Sequence, residues 1–228
     1  MSTPTVFIPA LLCDEALYKD VIAALGDTVE PHVLMSPKPD LADSVTDILS
    51  RAPAQFALVG TSYDGNLALE VALAAPERVT ALWLMGCDPT APATGGPDLP
   101  GGLRATPDAV IGMLAGLVVH KNATAAAAEF KAMAHRVGGA AGANQAQALG
   151  GRAEASSRLG TLHMPVLALW GQDDALVPMA IGKALADELP HAHFHALPGC
   201  GHLPTLEKPE EAAALFAEFL TDEGAHAH

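Results

Sequence analysis

Apolar positions along this chain fall into two periods. Short continuous runs occupy residues 6–8, 56–59, 80–85 and 166–170, and a short alternating run occupies 193–197. Each is too short for a helix and rich in Val, Leu, Ile, Phe or Trp, so each predicts a buried strand. Residues 28–34 predict a further strand, placed at the sheet edge because Pro31 lacks the N–H that a central strand needs. Helical spacing fills the gaps. Leu41, Val45, Ile48 and Leu49 share one face of a helix over residues 40–52, opened by Asp40 as N-cap with Asp43 near the positive end of the dipole. Further helices are expected over residues 17–25, 65–75, 179–189 and 209–220, the last with Pro209 in its first turn. Strand and helix alternate, which predicts an α/β fold: a mostly parallel sheet with helices on both faces. Within it, residues 56–85 form a right-handed strand, helix, strand crossover.

The alternation breaks once. Residues 88–159 open with DPTAPATGGPDLPGG, a loop composition, and continue as Ala-rich helical stretches over 107–120, 123–137 and 143–156. The expected division is therefore a core of residues 1–87 and 160–228 and a small helical insertion of residues 88–159. GGAAGAN at 138–144 reads as a flexible joint and TDEGAHAH at 221–228 as a loose tail. There is no internal repeat.

At 228 residues the length suits one domain, and the charge narrows its partners. Lys and Arg number 12 against 26 Asp and Glu, a net charge of -14, with no basic cluster. Nucleic acid and anionic membrane are excluded as partners, leaving a neutral or cationic small molecule, and oligomeric state is not read from the sequence. No apolar run nears the roughly 18 residues that span a bilayer, and the first residues lack a signal peptide's basic start and apolar core. A soluble, cytoplasmic protein is expected. Cys13, Cys87 and Cys200 show no CxxC spacing and read as reduced thiols.

Chemistry concentrates in LVGTSYDGNLAL, residues 58–69. A strand ends at Gly60, Ser62 follows at the tip of a sharp turn, and a helix begins. A serine hydroxyl stays protonated at neutral pH, so it needs an imidazole as base and a carboxylate to orient that imidazole. Among ten histidines, His202 alone sits in a Gly/Pro loop after a late strand, GCGHLP. His193 and His195 share a face by alternation but have no acidic or thiolate neighbour, so a solvated strand face is the reading there rather than a metal site. Asp173 and Asp174 both follow the strand ending at Trp170. All these candidates lie at carboxyl ends of strands, where parallel sheets collect their ligands.

Ser62, an aspartate and His202, in that order and each on a loop after a strand, resemble the α/β-hydrolase fold. GQDDALVP is similar to that family's GxxDxxxP through Gly171, Asp174 and Pro178, which selects Asp174 over Asp173. LPGCGHLPTLEKPEE is similar to its histidine loop and closing helix. The resemblance implies that residues 88–159 are a cap, and that the backbone N–H groups of Leu11 and Tyr63 form an oxyanion hole, with Pro9 and Ala10 standing where many relatives carry His-Gly. Apolar side chains at Leu12, Met113, Leu117 and Val177, with Ile111, Leu114 and Val118, would line a pocket for an uncharged group. Neither the residues nor the resemblance calls for a cofactor or metal. The expected activity is carboxylic-ester hydrolysis through an acyl-enzyme. Thioesterase, lactonase, perhydrolase or acyltransferase chemistry would use the same residues, and a binding protein with little or no turnover is the other class left open. Asp64 motivates that second class. The family turn is GxSxG, but here the fifth position is Asp64 and the glycine follows at Gly65. A carboxylate about 6 Å from a developing oxyanion opposes it by roughly 3 kcal/mol at an effective dielectric near 20. Asp64 is therefore expected to modulate activity by slowing it, unless it faces solvent or is buried and protonated.

Overall fold

A computed structural model describes residues 2–226. Its centre is one six-stranded sheet in which every pair is parallel: β1 (Thr3–Ile8), β2 (Val29–Val33), β3 (Phe56–Thr61), β4 (Val79–Met85), β5 (Val166–Gly171) and β6 (Ala192–Leu197). Their spatial order is β2-β1-β3-β4-β5-β6. β2, with Pro31, lies on the edge, as the missing donor requires. The order reverses between β1 and β3, so the loops leaving these two strands diverge and open a crevice at their carboxyl ends.

Alternation along each strand sends neighbouring side chains to opposite faces. Phe7, Val59 and Trp83 join the cluster covered by α1 (Lys19–Leu25) and α10 (Pro209–His226), where the rings of Trp83 and Phe216 stack at 4.4 Å. Val6, Ile8, Leu58, Leu82 and Leu84 face the other way, against α2 (Leu41–Arg51), α3 (Tyr63–Ala74) and α8 (Met179–Glu188). The Asp40 side chain caps α2 by accepting from the Asp43 amide at 3.1 Å. β6 exposes His193 and His195 on the opposite edge, and the His193 ring meets Phe219 at 6.2 Å.

Between β4 and β5 lie four helices: α4 (Leu99–Ala105), α5 (Pro107–Ala115), α6 (Thr124–Val137) and α7 (Gly139–Gly150). Ile111, Leu114, Phe130 and Met133 continue the cluster that holds Phe7 and Trp83, so this segment shares the core of one sheet face. Three expectations change here. The proline and glycine run read as loop contains α4, because Asp98 accepts from the Gly101 amide at 2.9 Å and Leu103 is fully buried. GGAAGAN is not a flexible joint: Gly139 to Asn144 are helical, and the glycines serve close packing. A Cβ at Gly139 would lie 2.4 Å from the carbonyl oxygen of Leu103. The supposed tail continues α10 through His226, while the last two residues lie outside the described part. A fourth difference is α9 (Pro204–Glu207), one turn inserted after the histidine loop. Among the described residues no helix is long and apolar enough to cross a membrane.

Candidate active site

Ser62 stands between β3 and α3 with φ 62° and ψ -126°, a conformation disfavoured for any residue with a Cβ. Its amide donates to the Met85 carbonyl at 2.7 Å, while its own carbonyl accepts from Gly65 at 3.0 Å and Asn66 at 3.3 Å. The strained turn is thus held by β4 on one side and the first turn of α3 on the other. Gly65 also answers the displaced glycine of the motif. α3 passes so close to the end of β4 that a Cβ at Gly65 would sit 2.7 Å from Cys87 Cβ.

The structure brings the three long-separated candidates together. His202 Nε2 lies 2.7 Å from Ser62 Oγ, and His202 Nδ1 lies 2.7 Å from Asp174 Oδ2. With its proton on Nδ1, the imidazole donates to the carboxylate and can accept the serine proton on Nε2. The other Asp174 oxygen accepts the amides of Leu176 and Val177, each at 2.9 Å, which fixes the carboxylate before the histidine meets it. Asp173 is exposed and donates only its amide, to the Cys200 carbonyl.

Three supporting residues were not singled out from sequence. Glu207, on α9, accepts three backbone amides: His120 at 2.8 Å and Gly201 at 3.0 Å on one oxygen, Leu203 at 3.2 Å on the other. It therefore fastens both sides of the histidine loop and joins them to the loop between α5 and α6. Gly86, with φ 57°, leaves room for the His202 ring, which a Cβ would approach to 2.7 Å. Gln145, on α7, accepts the Leu12 amide at 3.1 Å. Glu207 sits in the quoted LEKPEE and Gly86 directly follows a strand, so both had some local signal. Gln145, within an Ala/Gly-rich helix, had none.

The first loop makes a tight turn closed by the Cys13 amide donating to the Ala10 carbonyl at 2.8 Å, with Leu11 and Leu12 at its corners. Tyr18 ties this region to the end of β3, its hydroxyl donating to the Ile8 carbonyl at 2.9 Å and meeting Thr61 Oγ1 at 2.8 Å. Neither the Leu11 nor the Tyr63 amide donates to another group among the described residues. Of the proposed pocket residues, Leu12 is fully buried, Met113 and Leu117 are 52% and 39% exposed, and Val177 packs into the cluster beneath α8. A groove of about 540 Å³ between α2, α3 and the end of α7 contains none of the Ser62, His202 and Asp174 side chains.

Asp64 does not face solvent. It is 1% exposed, Oδ2 has no hydrogen-bond partner among the described residues, and burial pushes its carboxyl well above the ordinary range. Burial disfavours its charged form, which weakens the charge expected to oppose an oxyanion. All three cysteines are buried and free, and burial is the main cause raising each thiol pKa. They stay protonated at neutral pH and behave as small apolar fillers.

A six-stranded parallel sheet carrying a Ser-His-Asp relay at its carboxyl edge defines a hydrolase of the doubly covered α/β class. The chain belongs to the alpha/beta hydrolase family, whose model matches residues 14–215. One curated relative, the 2-hydroxy-6-oxononadienedioate/2-hydroxy-6-oxononatrienedioate hydrolase of a Pseudomonas species, is 36% identical over 74 residues. That stretch covers 32% of this chain and only 26% of the relative. Over the whole fold, the chain resembles a thermophilic esterase from Thermogutta terrifontis with a TM-score of 0.86 at 19% identity, covering 98% of this chain and 91% of that one. An enol-lactonase from Burkholderia xenovorans LB400 gives a TM-score of 0.85 at 17% identity, over 97% and 92% of the two chains.

Proposed function

We propose that this hydrolase cleaves carboxylic esters of small, mainly apolar substrates through an acyl-enzyme. The observation that carries the reading is the unbroken relay from Ser62 through His202 to Asp174, with 2.7 Å at both links. His202 takes the Ser62 proton as Oγ bonds to the acyl carbon. The carbonyl electrons move to oxygen, and the Leu11 and Tyr63 amides receive that oxyanion. When the tetrahedral centre collapses, the bond to the alcohol breaks and the alcohol leaves with the proton from His202. Water then repeats the sequence: His202 accepts its proton, the hydroxide attacks the acyl group, and Ser62 recovers its proton as the carboxylic acid leaves. Asp174 stabilises the imidazolium in both halves. Each oxyanion donor contributes about 100 to 1000-fold in turnover.

Residues 88–159 act in this reading as a cap over the crevice, with Met113 and Leu117 at its exposed rim. The net charge of -14 favours an uncharged ester over a doubly anionic acid such as the dienedioate in the curated relative's name. A serine-reactive alkyl phosphonate followed by peptide mapping tests the assignment: a single adduct on Ser62 is expected, lost in Ser62→Ala. Labelling elsewhere, or ester turnover that survives in Ser62→Ala, would overturn it. If the unaltered protein shows neither turnover nor labelling, the binding-protein class takes its place.

A further inference from the structure

Only two non-glycine residues among those described have positive φ, Ser62 and Leu12, at 62° and 61°. Leu12 is the third residue of the 10–13 turn, the position that in such turns ordinarily falls to glycine or asparagine. No neighbour in sequence compensates for the leucine. Compensation comes from α7 instead. The Leu12 amide donates to Gln145 Oε1 at 3.1 Å, and the Leu12 side chain is seated over Gly142, where a Cβ would come within 2.3 Å of Leu12 Cδ2. Gly142 and Gln145 are three residues apart and so share one helical face. Gln145 is 1% exposed, and a buried amide is costly unless hydrogen-bonded, so its placement needs a partner such as Leu12.

We propose that α7 is a clamp on the oxyanion turn, with Gln145 as a positioning residue: by holding Leu12 at positive φ it aims the adjacent Leu11 N–H at the acyl oxygen. The inference rests on reading Leu11 as an oxyanion donor. It implies that α7 governs turnover even for an ester too small to touch it, because its effect passes through the backbone of the turn. A residue that merely lined the pocket would discriminate by acyl length.

The test compares p-nitrophenyl acetate with p-nitrophenyl hexanoate. Gln145→Met, which keeps the length but removes the acceptor, is expected to lower kcat about 10 to 100-fold on both esters, with KM changed less than about threefold. Amide hydrogen exchange at Leu12 should accelerate. Gln145→Glu at pH 6 keeps an acceptor oxygen and should restore most of kcat. Gly142→Ala disturbs the same turn from its other contact, so it gives a second reading should Gln145→Met fail to fold. It should show the same length-independent loss, and the double variant should lose far less than the product of the two. The clamp is overturned if Gln145→Met leaves kcat within about twofold, or if its loss is confined to the hexanoate. Replacing Leu11 by its α-hydroxy acid, which exchanges the N–H for oxygen, separates the two ideas. If that replacement leaves kcat unchanged, the oxyanion reading itself falls. If it lowers kcat while Gln145→Met does not, the donor stands and the clamp falls.

Discussion

The turns after β1 and β3 lie side by side at the reversal of strand order, and each contains one non-glycine residue at nearly the same positive φ. They are held in opposite ways. Ser62 is supported chiefly from its own neighbourhood, through Gly65, Asn66 and the end of the adjacent strand. Leu12 depends on Gln145, 133 residues away in sequence. Asp14, just beyond the same turn, is paired with Arg136 of α6, whose guanidinium reaches its two oxygens at 2.6 and 3.1 Å. A strained turn that runs straight into a helix can use that helix's first carbonyl and amides. A strained turn that ends in an irregular loop must borrow support from another element. The Ser62 turn is therefore a mainly local device, whereas the Leu12 turn is a tertiary one.

The largest effect expected from breaking the local device is on turnover. Ser62→Ala should reduce ester hydrolysis by about 10 000-fold or more while leaving the melting temperature nearly unchanged, a combination readable from steady-state kinetics and thermal unfolding. The histidine loop combines both kinds of support, since Glu207 holds the nearby Gly201 and Leu203 amides and also the distant His120 amide, and Glu207→Ala probes this. Three amides lose their acceptor, so a stability loss of about 3 kcal/mol is expected in urea, with kcat falling as His202 loses its fixed position. Glu207→Gln, which keeps one acceptor oxygen, should fall between the two.

Gly65→Val tests how much of the nucleophile turn is packing. Its branched Cβ must displace Cys87 or lift α3, for about 1–3 kcal/mol of lost stability by denaturant titration. If stability is unchanged, the close approach of α3 to β4 is not the reason for glycine there. Asp64 gives the smallest effect per step, and its sign follows from burial. Unfolded, its carboxyl ionises near the ordinary value; folded, it keeps its proton to higher pH. Folding therefore takes up a proton, and stability falls by about 1.4 kcal/mol per pH unit as pH rises from about 4 towards the folded pKa. Asp64→Asn should remove that part of the slope as pH rises above about 4. An unchanged slope would mean that the carboxyl is ionised in the fold.

Much of this was legible in residues alone. The apolar runs marked the strands because parallel strands are buried on both faces, and Pro31 put its strand on the edge. Ser62, Asp174 and His202 were each visible as a reactive side chain in a turn after such a run, and the structure brings them within hydrogen-bond distance. Local pattern failed where glycine has two meanings. In residues 138–144 it looked like freedom and proved to be clearance, since α7 needs small residues to approach Leu103 and Leu12. Asp64 was open for a different reason: its position in the motif was plain, but its charge depends on burial, which spacing does not encode.

The sequence by itself determined the alternation of strand and helix, the order of the three reactive side chains and the loops that carry them, because each is written in a few adjacent residues. Only the tertiary structure decided that the Asp64 carboxyl is buried, that Glu207 links the histidine loop to His120, and that Gln145 holds Leu12. The reason is physical: each of these depends on which distant atoms exclude water from a group or supply its hydrogen-bond partner.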